Sequence, residues 1–495
     1  MNTLKSLLLG CCLQAGLLPL VWADDHQGPP AGGPIASLDR LHSLNTPSEP
    51  ATLRLPAVQD WRTRAGLRTL FIQASELPVV DIRLTFDAGS ARDQSVVPGG
   101  SGLASLVASM LDEGTRTQNT DQIAAQFEAL GAQYSAQAYR DMFTVELRVL
   151  SDPNLLQPAV QQLLSLLADA QFPEDSLARI RANLAVGQQQ REESPAAMAG
   201  LRFWRELYGS HPYAEPPTGT AASLARISRQ HLIEFKQRYL VRGNASLALT
   251  GQLTPQQARA LAEQISQTLP AGPAAPPLPT PAALAQARTV QVPFASTQAQ
   301  VVMGQLGLSR SDPDLPAVLL GNEILGGGDF NALLMKELRQ KRGLTYGAYS
   351  SFVPMHVPGP FSVSLSTRSD QAGTAVTLAR QTLRQALQDG LDPVQFAEAR
   401  EGLINGYPLG LASNASLNAM LGMMGFYGLP GSYLSDYPAQ LQALTPAQVQ
   451  DALRRHLNPD ALLTVVVGPV APAAAPEPAV PVPAAEPESA PPPQP

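Results

Sequence analysis

Six histidines are the first candidates for chemistry: His26, His42, His211, His231, His356 and His456. No two stand close enough to ligate a metal from adjacent helical turns, and neither H-E-x-x-H nor H-x-x-E-H occurs. The only cysteines are Cys11 and Cys12, which excludes a disulfide framework and a cysteine-rich zinc site. Gly99-Gly100-Ser101-Gly102 falls short of a G-x-S-x-G nucleophile turn. Gly326-Gly327-Gly328 lacks the Lys-Ser/Thr of a phosphate loop and reads as a flexible loop. A net charge of −7 removes the basic footprint that nucleic-acid binding needs. Residue chemistry taken alone therefore leaves no evident active site.

The elements that would position a site are clearer. Hydrophobic residues make up 44% of 495 and charged residues 15%, enough apolar material for a large core. Val79 to Phe86 is a strand with polar residues at alternate places, and it leads to a helix from Leu103 to Leu111 stopped by Gly114. Ala299 to Gly304 is a second such strand, leading to a helix near Ala317 to Leu325. Residues 227–251 align without a gap on residues 444–468, with Arg238, Leu240 and Gly251 recurring as Arg455, Leu457 and Gly468. Each copy has Ser or Thr at an N-cap, an amphipathic helix, then a β-rich run. Mixed strands and helices in two related halves define an α+β chain. Six prolines between Pro270 and Pro281 mark the junction of the halves. Ten prolines and eight alanines in residues 471–495 give a tail that cannot build a core. Lys5, the apolar run to Leu20 and Val21-Trp22-Ala23 describe a secretory signal cleaved after Ala23; lipoprotein processing at Cys11 is the lesser alternative.

Leu325-Gly326-Gly327-Gly328-Asp329-Phe330-Asn331, running into Glu337 to Tyr346, closely resembles a signature of the pitrilysin-like zinc peptidases. That family includes insulin-degrading enzyme and the mitochondrial processing peptidase. Val58 to Trp61, Gly66-Leu67-Arg68, Phe86 to Ser90, and His211-Pro212-Tyr213 with Gly219-Thr220 agree with its opening half. The resemblance implies two homologous α/β-roll domains joined by a Pro-rich linker, forming half of a clam-shell. The expected layout is signal peptide 1–23, lead segment 24–55, first domain 56–268, Pro/Ala-rich linker 269–290, second domain 291–470 and a disordered tail 471–495.

Active members of that family carry H-x-x-E-H on a helix. Two histidines hold zinc and the glutamate is the general base. In the frame Gly102 to Thr115 the histidine positions fall on Ser105 and Ser109, the base position on Ala108, and the third ligand near Val186. None of these side chains is a useful zinc ligand. Asp112 and Glu113, nearby, read as a solvated helix end. The resemblance retains Arg339 and Tyr346, seven residues apart, which in the family position substrate and stabilise charge on the scissile carbonyl oxygen. Arg339 should lie in the last turn of a helix from Asn331 to Arg342 capped by Gly343, and Tyr346 early on the strand that follows.

Ligands lost and this pair kept resemble the non-catalytic subunit of a heterodimeric zinc peptidase. The expectation is a periplasmic or secreted chain with no catalysis alone and no zinc of its own. A partner with H-x-x-E-H would supply zinc and base, and a peptide would be the substrate. Gly326, Gly327 and Gly328 are weaker substrate-binding candidates. No transmembrane segment remains once the signal is removed. The alternatives are a structural scaffold and a stand-alone peptide-binding protein.

Overall fold

Two sheets with the same winding order carry the chain. A computed structural model describes residues 55–469, residue 329 excepted. The signal, nearly all of the lead segment and the tail lie outside the described residues. The first sheet contains β1 (Gln59–Arg62), β2 (Arg68–Gln73), β3 (Val79–Phe86), β4 (Gln133–Ala138), β5 (Phe143–Leu150) and β6 (Ala245–Gly251), in the order β1-β2-β6-β3-β5-β4. The second contains β7 (Arg288–Pro293), β8 (Gln298–Leu306), β9 (Thr345–Phe352), β10 (Pro360–Arg368) and β11 (Leu463–Gly468), in the order β7-β11-β8-β10-β9. Remove β1 and the two orders coincide. In both, one pair is parallel (β2 with β6, β7 with β11) and the rest are antiparallel. The repeat legible near residues 227 and 444 is thus a duplication of the whole roll.

The first half contributes α1 (Leu103–Met110), α2 (Thr120–Ala129), α3 (Pro153–Asp169), α4 (Glu174–Glu192), α5 (Pro195–Tyr208), α6 (Ala221–Leu224), α7 (Arg229–Tyr239) and α8 (Pro255–Thr268). The second contributes α9 (Leu315–Asn322), α10 (Ala372–Asp389), α11 (Pro393–Gly406), α12 (Asn414–Phe426), α13 (Tyr433–Ala443) and α14 (Pro446–His456). The repeated N-caps are both visible. His231 Nδ1 accepts the Ser228 N–H at 3.1 Å, and Gln448 Oε1 accepts the Thr445 N–H at 2.9 Å.

One face of each sheet packs on its own helices. Val80, Ile82, Leu84 and Phe86 face a core shared with Leu103, Leu106 and Val107 of α1. The opposite face is covered by a helix from the other half. Leu417, Leu421 and Met424 of α12 pack on Leu70, Ile72 and Ala248 of the first sheet. Ala199, Phe203 and Leu207 of α5 pack on Leu463, Val465 and Val467 of the second. Each fully buried side chain of this size is worth roughly 1.5–3 kcal/mol, so separating the halves would strip both sheets. The alternating polar residues of β3 therefore face a helix and not water: Asn418 of α12 donates to Asp81 O at 3.1 Å, and Gly422 of α12 lies against Arg83 and Thr85.

The proline-rich stretch between the halves is tied down. Arg92 Nη1 donates to Pro276 O at 2.6 Å, Asn244 Oδ1 accepts the Ala275 N–H at 2.8 Å, and His211 Nε2 lies 2.9 Å from Pro279 O. A second tie joins the halves at Asp141, which is only 2% exposed. Its carboxylate accepts from the Tyr213 hydroxyl, from the His356 N–H at 2.8 Å and from the Tyr427 hydroxyl at 3.1 Å. Burial pushes both phenols well above their ordinary range, so they stay protonated and donate. Among the described residues no helix is long and apolar enough to cross a membrane.

Candidate functional site

The helix that would carry zinc ligands keeps its scaffold and lacks its chemistry. The Asp93 carboxylate accepts the N–H groups of Gly102, Leu103 and Ala104 at 2.7, 3.1 and 2.9 Å, closing the N-terminus of α1. Gly102 sits at φ +96, where a Cβ would come within 2.8 Å of Leu224 Cδ2. Gly219 is as tight: a Cβ there would lie 2.3 Å from Ser101 O. These glycines preserve the packing around α1 whatever its side chains do.

Ser105 donates its hydroxyl to Pro217 O at 2.8 Å, so it is consumed by structure. Ala108 is buried, Ser109 is exposed, and Val186 on α4 is 57% exposed. The Arg191 guanidinium is anchored on Thr218 Oγ1 at 2.9 Å, one residue from the carbonyl that holds Ser105. Two hydroxyls, an alanine and a valine are the wrong donor set for zinc. Asp112 and Glu113 do not replace it. Both are half-buried and not the solvated helix end expected of them. Burial raises Asp112, and Glu113, where burial also pushes upward, is held below its ordinary range by hydrogen bonds from Arg179, Ser176 and Thr120. The one cluster of metal-capable side chains among the described residues is elsewhere: Asp312, Asp314 and His456, where Arg455 grips Asp314 with two contacts of 2.9 Å.

Arg339 and Tyr346 are brought together. Arg339 Cζ lies 4.6 Å from the centre of the Tyr346 ring and 4.6 Å from that of Phe330. The helix carrying Arg339 is widened to π geometry over Met335–Gln340, and Asn331 and Arg342 lie outside it in turns, which shortens the helix expected from the sequence. Gly343 at φ +59 closes it with a left-handed C-cap: Gly343 N–H reaches Arg339 O at 2.9 Å, and Leu344 N–H reaches back to Leu338 O at 2.9 Å. Tyr346 is the second residue of β9 and is 83% exposed.

A β-bulge aims it outward. Ala348 pairs with Leu365 but Thr345 pairs with Thr367, so Tyr346 and Gly347 together oppose Ser366. Thr345 Oγ1 fixes the bulge, lying 2.6 Å from Ser366 O and accepting the Gly347 N–H at 3.1 Å. Without the extra residue, strict alternation would turn Tyr346 and Tyr349 to opposite faces; with it, both are exposed. Glu337 does not compete for Arg339. Hydrogen bonds from Lys341 and Arg342, both at 2.6 Å, hold its carboxyl below the usual range.

The glycine run corrects the sequence reading. Gly326 and Gly327 are not a flexible loop but the end of a π turn, Glu323–Gly327, that continues α9. A Cβ on Gly326 would lie 2.8 Å from Ser350 Oγ, and one on Gly327 2.3 Å from Asn322 Nδ2. The missing side chain lets Gly326 pack closely on β9 and Gly327 pack on Asn322 at the end of α9. A pocket of about 380 Å³ opens beside the turn, lined by Glu323, Gly327, Gly328, Asn331 and Glu398. Thus Arg339, Tyr346 and the glycine turn all border β9, whereas Ser105, Ala108, Ser109 and Val186 belong to the other half. Phe330 was not among the sequence candidates, and no local signal in a turn residue marks it as a stacking partner.

Two rolls of one topology, with the packing around α1 kept and no zinc-binding set on it, define a duplicated α/β-roll chain whose metal positions are changed. The description "Insulinase (Peptidase family M16)" matches residues 68–211, and "Peptidase M16 inactive domain" matches residues 226–403. A solved peptidase M16 inactive domain from Pseudomonas fluorescens is 40% identical, with a TM-score of 0.79, over 84% of this chain and 98% of that one. A non-peptidase homolog from Helicobacter pylori is 24% identical over 82% of this chain and 92% of its own length. An uncharacterized zinc protease from Streptomyces coelicolor is 24% identical over 76% of this chain and 82% of its own. The chain belongs to the M16 peptidase family, the group that the pitrilysin-like resemblance indicated, and its zinc-motif positions hold Ser105, Ala108 and Ser109.

Proposed function

We propose that this chain is an exported, non-catalytic subunit of a heterodimeric zinc peptidase. It presents Arg339 and Tyr346 to the zinc site of a partner that carries H-x-x-E-H. One observation carries the reading: where α1 offers no zinc-binding set, Tyr346 is 83% exposed, and no side chain or carbonyl among the described residues accepts a hydrogen bond from the Arg339 guanidinium. An exposed tyrosine beside a half-buried arginine, both with unused donors, suits a carbonyl oxygen that gains negative charge during peptide hydrolysis. A well-placed donor of this kind is worth about 3 kcal/mol, or roughly a hundredfold in rate. The partner would supply metal and base. The pocket beside Gly327 and Gly328 offers room for a substrate side chain. The free edge of β4, which packs against α1, offers unpaired backbone groups to an extended peptide.

The test is peptidase activity of this chain, the candidate partner, and their mixture, each assayed on a mixed peptide library. Cleavage should appear or rise sharply only in the mixture and fall about a hundredfold with Tyr346→Phe. A mixture no better than the partner alone refutes the shared site and leaves the scaffold and peptide-binding alternatives. Export is tested separately by locating the mature N-terminus, expected at Asp24.

A further inference from the structure

The Arg339–Tyr346 pair has a twin in the first half. Phe127 and Tyr134 are also seven residues apart, and their rings stack at 5.2 Å with an 8° tilt. Gly131 lies four residues after Phe127, as Gly343 lies four after Arg339, and both glycines take φ +59. The duplicated roll therefore builds a helix-end side chain stacked on a strand tyrosine in each half. In the first half the pair is held by its surroundings, with Phe127 only 6% exposed. In the second half arginine replaces phenylalanine and the site is open. A guanidinium stacked on one exposed ring and gripped by no acceptor would swing through its rotamers.

Phe330 supplies what the open site lacks. Its ring covers the guanidinium at the same 4.6 Å distance as Tyr346 does. It does so while 56% exposed, a poor place for a phenylalanine whose only task is burial. Its backbone is anchored, because Gln340 Nε2 donates to Phe330 O at 2.7 Å from the turn next to Arg339. Two π turns, Glu323–Gly327 and Met335–Gln340, flank this segment and set where the ring stands. We propose that Phe330 is a positioning residue: with Tyr346 it clamps the faces of the Arg339 guanidinium, so that only the N–H rim is free to meet a ligand oxygen. The role in catalysis rests on the shared-site reading above; the clamp itself does not.

The first arm needs no partner. In the full chain labelled with ¹³C/¹⁵N-arginine, with Arg339→Lys to assign the signals, the Arg339 δ and ε protons should be shifted upfield by both rings. Phe330→Leu should remove about half of that shift, and Phe330→Tyr should restore it. Arg339 signals at free-arginine positions in the wild type, or unchanged by Phe330→Leu, would overturn the clamp. The second arm uses the active mixture. Phe330→Leu should lower kcat about ten- to a hundredfold with little change in KM or Tm, and Phe330→Tyr should rescue it. Wild-type kcat in Phe330→Leu overturns the positioning role even if the ring shift is lost. A wild-type mixture without shared activity defeats only the shared-site reading, and the arginine spectra still decide the clamp.

Discussion

Replacing Asp141 by alanine should loosen the two halves from each other at a deeply buried polar contact. The carboxylate is 2% exposed and receives three donors: Tyr213 O–H from the first half, and His356 N–H and Tyr427 O–H from the second. Asp141→Ala leaves all three without an acceptor. At about 1–3 kcal/mol for each stranded donor, and with some of that regained by water entering the vacated space, the loss is about 4 kcal/mol. A cooperative unit of roughly 400 residues has an unfolding entropy near 0.8 kcal/mol/K, at about 2.1 cal/mol/K per residue, so Tm should fall by about 5 °C. Asp141→Asn retains one acceptor oxygen and should lose about half as much. Its amide can donate to a tyrosine hydroxyl, which can accept, but not to the His356 N–H, which cannot. Tyr427→Phe, which removes one neutral donor, should cost only about 1 °C. Scanning calorimetry of the full chain at pH 7 measures all three. A Tm for Asp141→Ala within about 1 °C of wild type would refute the reasoning, because it would mean that these donors find other partners without loss.

Three further outcomes follow from other contacts. His211 accepts the Tyr213 N–H on Nδ1 at 3.1 Å and faces Pro279 O with Nε2, and burial lowers its pKa below the ordinary histidine value. The unfolded chain then takes up the proton first, so wild type should lose stability relative to His211→Gln as pH falls from 7 to 5; parallel Tm curves would count against it. Proteolytic nicking between residues 270 and 281 should leave the halves eluting together on size exclusion until denaturant is added, because each sheet is covered by the other half's helix. Purified chain should carry far less than one zinc per molecule by elemental analysis, and stoichiometric zinc removable by chelator would show a ligand set other than Ser105, Ser109 and Val186.

How much of this was legible depended on whether the cause was local. The strand Val79–Phe86 appears residue for residue, because period-two alternation is written into the segment. What covers its polar face was not, since alternation marks a polar side without saying whether water or α12 lies on it. The helix end, Gly343 and strand start around Arg339 and Tyr346 were readable because they make one local unit, whereas the pair itself was singled out by the family signature. Its outward aim depends on a bulge set by pairing with β10, and its third member, Phe330, on two π turns. Asp141 stands between Arg140 and Met142 with no motif around it; its three donors arrive from positions 213, 356 and 427. The glycine run looked flexible because sequence shows the missing side chains and not the atoms packed against them.

The crossing of α5 and α12 between the halves also sets an order of events at birth. By the time Gly251 completes the first sheet, that sheet has a finished hydrogen-bond ladder and one bare face of Leu70, Ile72 and Ala248. The helix that shields it ends at Phe426, 175 residues later. At about 5–20 residues per second, a chain emerging N-terminus first leaves that face uncovered for about 10–30 s. The second sheet is spared, because α5 is already made when β7 and β11 arrive. An asymmetric exposure of this length makes the first half the part that a holding chaperone must recognise, and truncations that stop before residue 414 the ones that aggregate.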